Sequence, residues 1–217
     1  MSDFATARAS MIDCQLRPNE VNDERIIEAI RAVARENFVP KAKRSFAYVD
    51  EDIEVCDGRF LLEPVTFARL LVAAGIKAGD LVLDVGCATG YSSAVMAGLA
   101  DAVVALEEHQ DLAAMAEKKL AEQDIMNVAV VKGILAEGVA KQGPYDIIYI
   151  EGAVDEVPTA LLNQLKDGGR LVCVHLEGGV GRGHMIENRY GNLVAQNLFD
   201  ANVEPLPGFQ KEKTFVF

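Results

Sequence analysis

Asp84, Gly86, Gly90 and Glu107 are the residues of this chain whose types and spacing could do chemistry. They belong to one stretch, Leu81-Val-Leu-Asp-Val-Gly-Cys-Ala-Thr-Gly-Tyr-Ser-Ser93, and to the apolar run that follows it. Gly86 and Gly90 bracket a tight loop after Asp84. A dinucleotide fingerprint wants glycines at the first, third and sixth places of such a turn. Here those places hold Gly86, Ala88 and Tyr91, so the last glycine is missing. A carboxylate at Asp84 repels a pyrophosphate and suits a ligand that carries an ammonium group. Glu107 stands about 20 positions further on, where two acceptor oxygens suit the hydroxyls of a ribose. A nucleoside with an amino-acid tail and no phosphate satisfies all three features, and S-adenosylmethionine is such a molecule. The plainer account is a tight turn followed by a solvated glutamate. Cys87, inside the loop, reads better as a small residue filling the turn than as a nucleophile.

Leu81 to Val85 is a short apolar run, right for a strand covered on both faces. Tyr91 to Leu99 resumes with helical spacing, so the loop lies at the carboxyl end of a strand, where open α/β sheets bind their ligands. Further strands are expected at Ala102–Leu106, Val128–Val131, Tyr145–Ile150 and Arg170–Val174, with helices at Tyr91–Leu99, Leu112–Gln123 and Pro158–Leu165 between them. Asp167-Gly-Gly169 reads as the turn into the fifth strand. Met185–Arg189 and Asn192–Phe199 alternate around Tyr190-Gly191 and predict a hairpin, and Thr214–Phe217 a last short strand. Upstream, Phe4–Leu16 could form one helix. A second starts at Asn22 or Asp23, with Ile26, Ile27, Ile30 and Val33 on one face, and runs to Phe38 before Pro40. Ser45–Glu63 reads as irregular with one alternating run at Ile53–Cys56, and Pro64 opens another helix. Strands alternating with helices imply a mainly parallel sheet covered on both faces. The expected organisation is an N-terminal helical lobe and substrate loop, residues 1–63, and a Rossmann-like domain, residues 64–217, in a single compact unit.

The chain has 217 residues, of which half are hydrophobic, and a formal charge of −12. An acidic chain lacks the basic footprint of a nucleic-acid binder. Lys41, Lys43 and Arg44 read as a solvated turn. No apolar run approaches the ~18 residues of a membrane span, and Met1-Ser-Asp-Phe4 has no secretory pattern. Cys14, Cys56, Cys87 and Cys173 are scattered without a C-x-x-C pair, which points to free thiols in a cytoplasmic protein and to no metal site.

Several segments beyond the glycine loop carry a resemblance. The loop itself is similar to the first motif of class I S-adenosylmethionine-dependent methyltransferases. Met11-Ile-Asp-Cys-Gln-Leu-Arg17 with Asn22-Asp-Glu-Arg25, Asn37-Phe-Val-Pro40, Gly58–Pro64 and Val157-Pro-Thr-Ala-Leu-Leu-Asn-Gln-Leu-Lys-Asp-Gly-Gly-Arg-Leu171 resemble the protein-L-isoaspartate O-methyltransferase family, which repairs damaged aspartyl sites in proteins. The resemblance spans nearly the whole chain. It implies a Rossmann-like class I methyltransferase fold with a C-terminal antiparallel hairpin. It also implies S-adenosylmethionine as cofactor, S-adenosylhomocysteine as product and a protein or peptide substrate. Asp84, Gly86 and Gly90 would cradle the methionine part and Glu107 the ribose, with Cys87, Glu108, Gly133 and Ile134 completing the cofactor-binding set.

The chain departs from the family's wording at three places. A Thr and a Ser that hold the substrate carboxylate in the family are Phe60 and Leu62 here, and neither side chain donates a hydrogen bond. The family's Gly-Asp-Gly after the third strand reads Gly133-Ile134-Leu135, which leaves the adenine an apolar wall. After the fourth strand stands Glu151-Gly-Ala-Val-Asp155, and an added Glu disfavours an anionic substrate unless something neutralises it. Arg59, or backbone N–H groups of Gly58–Leu62, could replace the lost donors. Arg59, Phe60, Leu62 and Glu151 are therefore the substrate-side candidates, and no catalytic residue stands out. A carboxylate nucleophile is already ionised at neutral pH and needs no general base. His109 reads as solvated, and His175, at the end of the fifth strand, as structural or solvent-facing. Three alternatives stay open: a methyltransferase with another substrate, including a small molecule, a non-catalytic S-adenosylmethionine-binding protein, and a nicotinamide dehydrogenase. The missing glycine and Asp84 count against the last.

Overall fold

The computed structural model describes residues 3–56 and 58–211, so the strand expected at Thr214–Phe217 lies outside the described residues. Seven strands form the central sheet: β3 (Leu81–Val85), β4 (Ala102–Glu107), β5 (Val128–Lys132), β6 (Tyr145–Val154), β7 (Leu165–Glu177), β8 (Val180–Arg189) and β9 (Asn192–Asp200). A separate two-stranded sheet pairs β1 (Ile53–Cys56) with β2 (Arg59–Leu61). The main order is β5-β4-β3-β6-β7-β8-β9. The first five strands in that order run parallel, and β8 and β9 are antiparallel additions. The chain moves outward from β3 through β4 to β5, then returns to the other side of β3 as β6. That reversal leaves a crevice at the carboxyl end of β3, which is where such sheets take a ligand.

The helices are α1 (Phe4–Met11), α2 (Glu24–Ala32), α3 (Pro64–Ala74), α4 (Tyr91–Ala97), α5 (Gln110–Ala121) and α6 (Thr159–Leu162). Strand periodicity divides the core between the two sheet faces. Val82, Val103, Ile147, Tyr149 and Val172 pack with Ile27, Ile30, Phe67, Leu70 and Val95 on one face. Leu83, Val85, Val104, Leu106, Ile148 and Ile150 turn to the other, where Leu135, Leu161, Leu206 and Phe209 cover them. Pro64 opens α3 and Gly75, in the left-handed region, closes it with its N–H on the Leu71 carbonyl, the ordinary way a helix ends in glycine.

The structure differs from the sequence expectations mainly in boundaries. The first helix ends at Met11 and continues as a wider π turn, Ile12–Leu16, then a tight turn, Arg17–Asn19, where Pro18 removes a donor. The second ends at Ala32 instead of Phe38, because Val33 is extended. The irregular stretch before Pro64 contains a strand, β2, too short to show an alternating pattern. β6 runs on from Ile150 to Val154, so Glu151 lies inside a strand and not after one. Asp167-Gly-Gly169 is an irregularity within β7, where the pairing with β6 shifts, and not a turn ahead of it. Pro158–Leu165 holds only the single helical turn α6.

Candidate functional site

Asp84 is the fourth residue of β3 and fully buried. Its Oδ2 accepts hydrogen bonds from the hydroxyls of Ser92 and Ser93 on the first turn of α4, while Oδ1 has no partner. Burial pushes its carboxyl up to about 7, opposed by the two serine hydroxyls and reinforced by the charge of Glu107. The loop after it is built by backbone conformation. Gly86 and Gly90 sit at φ of +84° and +92°, and Ala88 at +49°. A methyl group at Gly90 would come within 3.2 Å of the Ala116 side chain, so glycine there serves both the turn and the packing of α5. Thr89 donates to the Phe38 carbonyl at 2.6 Å, which ties the loop to the Asn37–Pro40 segment.

Glu107 ends β4 beside this loop and is also fully buried. Its Oε2 accepts from the Ala88 amide at 2.9 Å and its Oε1 from the His109 amide at 2.9 Å. Both oxygens are also taken by Arg59. The guanidinium sits across the carboxylate in a two-toothed pair, Nη1 on Oε1 and Nη2 on Oε2, the latter at 2.8 Å. Nη2 further donates to the Gly86 carbonyl at 3.0 Å, so one side chain bridges the acidic strand end and the glycine loop. Arg59 is buried as well.

A second part of the chain closes over the same place. The residues after β9 lie along the end of β6, with the Ala153 amide on the Glu204 carbonyl and the Leu206 amide on the Ala153 carbonyl. Leu206 is buried there. A methyl group at Gly86 would meet its Cδ1 at 3.1 Å, and one at Gly152 its Cβ at 2.9 Å. The Asp52 carboxylate holds this segment to the β1–β2 hairpin region, accepting from the Glu204 amide at 2.8 Å and the Glu63 amide at 2.7 Å.

Of the residues the sequence singles out, the structure gathers Asp84, Gly86, Cys87, Gly90 and Glu107 at one point, with Glu151 close enough to perturb them. Glu151 is buried, its Oε1 has no partner, and burial together with Asp84 holds its carboxyl well above the ordinary range. Burial does the same to the Cys87 thiol, with Asp84 adding to it, which fits a turn-filling residue and not a nucleophile. Glu108 is exposed and Ile134 is 51% exposed, so the Gly133–Ile134 side forms an open rim. Phe60 is half-buried on β2. Two substrate-side expectations need correcting. Leu62 is a core side chain, 2% exposed; both Nη atoms of Arg59 are engaged by Glu107 and the loop, which leaves only its buried Nε without a partner. His109 is exposed, and His175 bonds the Asp155 carbonyl through Nε2 at 3.2 Å. Among the described residues no group of three or more His, Cys, Asp or Glu is placed to hold a metal ion.

A nucleoside carrying an amino-acid tail matches the residue types of the site. Two buried carboxylates with orphaned oxygens, Asp84 and Glu151, and a third at the next strand end suit an ammonium group and a ribose. The residue types therefore fit; Arg59 and Leu206 cover Gly86 beside them.

Known proteins similar to this chain agree on one family. The model of the protein-L-isoaspartate (D-aspartate) O-methyltransferase family matches residues 7–189. A protein-L-isoaspartate O-methyltransferase from Koribacter versatilis (strain Ellin345) is 37% identical over 210 residues, covering 97% of this chain and 95% of that one. A solved protein-L-isoaspartate O-methyltransferase superposes with a TM-score of 0.80 at 26% identity, covering 93% of this chain and 66% of the other. A Plasmodium falciparum structure described as a beta-aspartate methyltransferase in complex with S-adenosyl-L-homocysteine matches with a TM-score of 0.80. Its identity is 20%, over 92% of this chain and 97% of its own, which speaks for the fold.

Proposed function

Because the chain belongs to the protein-L-isoaspartate (D-aspartate) O-methyltransferase family, an S-adenosylmethionine-dependent O-methyltransferase family acting on isoaspartyl residues of damaged protein, we propose that it performs this reaction at the crevice between Asp84 and Glu107. The observation that carries the reading is the placement of those two buried carboxylates at the carboxyl ends of neighbouring strands, joined by the glycine loop, at the point where strand order reverses. Asp84 would hold the ammonium end of S-adenosylmethionine, Gly86 and Gly90 allow the close approach of its tail, and Glu107 would accept from the ribose hydroxyls. Gly133 and Ile134 would flank the adenine with Glu108 at the rim.

The cofactor supplies an activated methyl group on a sulfonium, so the protein's share is to bind and orient. Alignment of two reactants is worth roughly 7–11 kcal/mol of barrier. An isoaspartyl carboxylate arrives ionised, with an ordinary value near 4, and needs no base. Backbone N–H groups of the Gly58–Leu62 segment, with Phe60 beside them, take the place of side-chain donors for that carboxylate. Leu62 has no contact role in this reading. Burial and the neighbouring Asp84 raise the Glu151 carboxyl, which lessens its repulsion of an anionic acceptor.

No helix of the described residues is long and apolar enough to cross a membrane, and all four cysteines are free thiols. We place the reaction in the cytoplasm on the second of these. The test uses S-adenosylmethionine labelled on its methyl group with an isoaspartyl peptide and its normal aspartyl twin. Label in the isoaspartyl peptide alone supports the reading. Label in neither, with cofactor bound, points to a different acceptor.

A further inference from the structure

Every residue from Val82 to Gly90 is buried, so other parts of the chain cover the glycine loop. Arg59 and Leu206 supply the cover at Gly86, both within 3.3 Å of where a methyl group on that glycine would stand. The Arg59–Glu107 contact is a built one. It has two parallel charged hydrogen bonds, a third to the loop carbonyl, and both partners buried. A two-toothed guanidinium–carboxylate pair is among the strong charged contacts a protein makes.

Resting on the assignment of Glu107 to the ribose, we propose that Arg59 is an internal latch on the cofactor site. Its guanidinium holds the carboxylate that the ribose hydroxyls need, and S-adenosylmethionine binds only when Arg59 is withdrawn. The latch sits at the turn end of a small separate sheet whose other end, at Leu62, is fixed by Arg35. Arg59 is the first residue of the three-residue strand β2, paired only with Cys56 across the turn of a hairpin that lies outside the seven-stranded sheet, next to a register irregularity. Leu206 is the second leaf, held through the Glu204 amide by Asp52 from the segment leading into that hairpin. Displacing the hairpin therefore withdraws the guanidinium and loosens the anchor of the leucine together. A ligand that binds only the unlatched form sees its affinity reduced by the fraction of molecules in that form. The same coupling makes any partner that pulls on the hairpin tighten cofactor binding.

The test is calorimetric titration of S-adenosylhomocysteine into the wild-type chain, Arg59→Ala and Arg59→Gln, and the double variant Arg59→Ala/Glu107→Ala. Binding that is at least tenfold tighter in Arg59→Ala than in wild type, intermediate in Arg59→Gln and lost in the double variant, is the expected result. Wild-type affinity in the low micromolar range, unchanged or weakened in Arg59→Ala, overturns the latch and leaves the cofactor assignment standing. Absence of binding in all four, each folded by circular dichroism, overturns the cofactor assignment and the latch with it. Should the substitutions at Arg59 not fold, the wild-type titration still decides, since low micromolar binding with the latch intact is incompatible with it.

Discussion

Arg35 and Arg59 are both buried arginines with their hydrogen-bonding ends turned inward, and they are used in opposite ways. Arg35 meets neutral acceptors: its Nε donates to the Ala47 carbonyl at 2.8 Å, its Nη2 to the Leu62 carbonyl at 2.7 Å, and its guanidinium carbon lies 4.7 Å from the centre of the Tyr91 ring. It staples the segment before β1, the end of the β1–β2 hairpin and the start of α4 into one body. Arg59 meets a carboxylate and a loop carbonyl at the ligand crevice. The first arginine has backbone partners that nothing else competes for. The second has a partner that a ligand also needs. A buried cation on backbone carbonyls is architecture, whereas one on a functional carboxylate is an occupant that can be exchanged.

The largest effect should come from the architectural one. Arg35→Ala removes two charged hydrogen bonds, strands the Ala47 and Leu62 carbonyls and empties the space over Tyr91, so a loss of about 3–5 kcal/mol of stability is expected. Urea unfolding measures it. If instead Arg35→Ala were mild and Arg59→Ala ruinous, the division of roles proposed for the two arginines would be reversed.

The second effect separates a pair from a staple. Removing Arg59 or Glu107 alone leaves a buried charge without its partner, whereas removing both, as Arg59→Met/Glu107→Gln, leaves none. A double-mutant cycle should show about 2–4 kcal/mol of coupling between these positions, with the double variant close to wild type. Arg35 with Glu107 should show none, as they share no partner. Coupling near zero for the first pair would mean that water replaces the guanidinium freely and that the contact is no latch.

The glycine loop is legible because its signals are local: a five-residue apolar strand, two glycines at the turn and a glutamate at the end of the next strand all fall within one βαβ unit. The sheet was legible for the same reason. Arg59 was not, since its bond to Glu107 crosses 48 residues of chain and leaves no period or spacing to find. The available hint is chemical: Arg59 is the one charged donor between Gly58 and Leu62, followed by Phe60 and Leu61, and an arginine in an apolar strand needs a buried acceptor. Leu62 is no substrate-side residue because it lies just past β2, where Arg35 takes its carbonyl. Its carbonyl is held inward and its side chain enters the core, which a family pattern of pocket-facing hydroxyls does not reveal. β6 was read too short because Glu151 and Gly152 look like strand breakers. The strand survives there because the Glu204–Leu206 segment pairs with Ala153.

Charge balance sharpens the contrast in a third way. Glu107 has Arg59 to neutralise it, while Asp84 has only two hydroxyls. The Asp84 carboxyl rises from an ordinary 3.8 to about 7 in the folded chain. A carboxyl raised on folding binds its proton more tightly in the native state, so its contribution to stability is full below about 4 and lost as pH climbs through 7. Stability should therefore fall between pH 4 and pH 7 by on the order of 2–3 kcal/mol, with Glu151 acting in the same direction. Asp84→Asn should flatten that slope. A slope that is unchanged in Asp84→Asn assigns the titration to another group.

The smallest effect belongs to the rim. Ile134 is half exposed on the Gly133 side of the crevice. Ile134→Asp should change stability by less than about 0.5 kcal/mol, as exposed substitutions do. In the wild-type background it should also leave the weak binding of S-adenosylhomocysteine hard to distinguish, because the latch sets the affinity there. In the Arg59→Ala background the adenine reaches its wall, and the same substitution should weaken binding several-fold through the lost apolar contact. An effect that grows when the latch is removed is what an open rim beside a closed pocket requires. Equal effects in both backgrounds would place the adenine elsewhere.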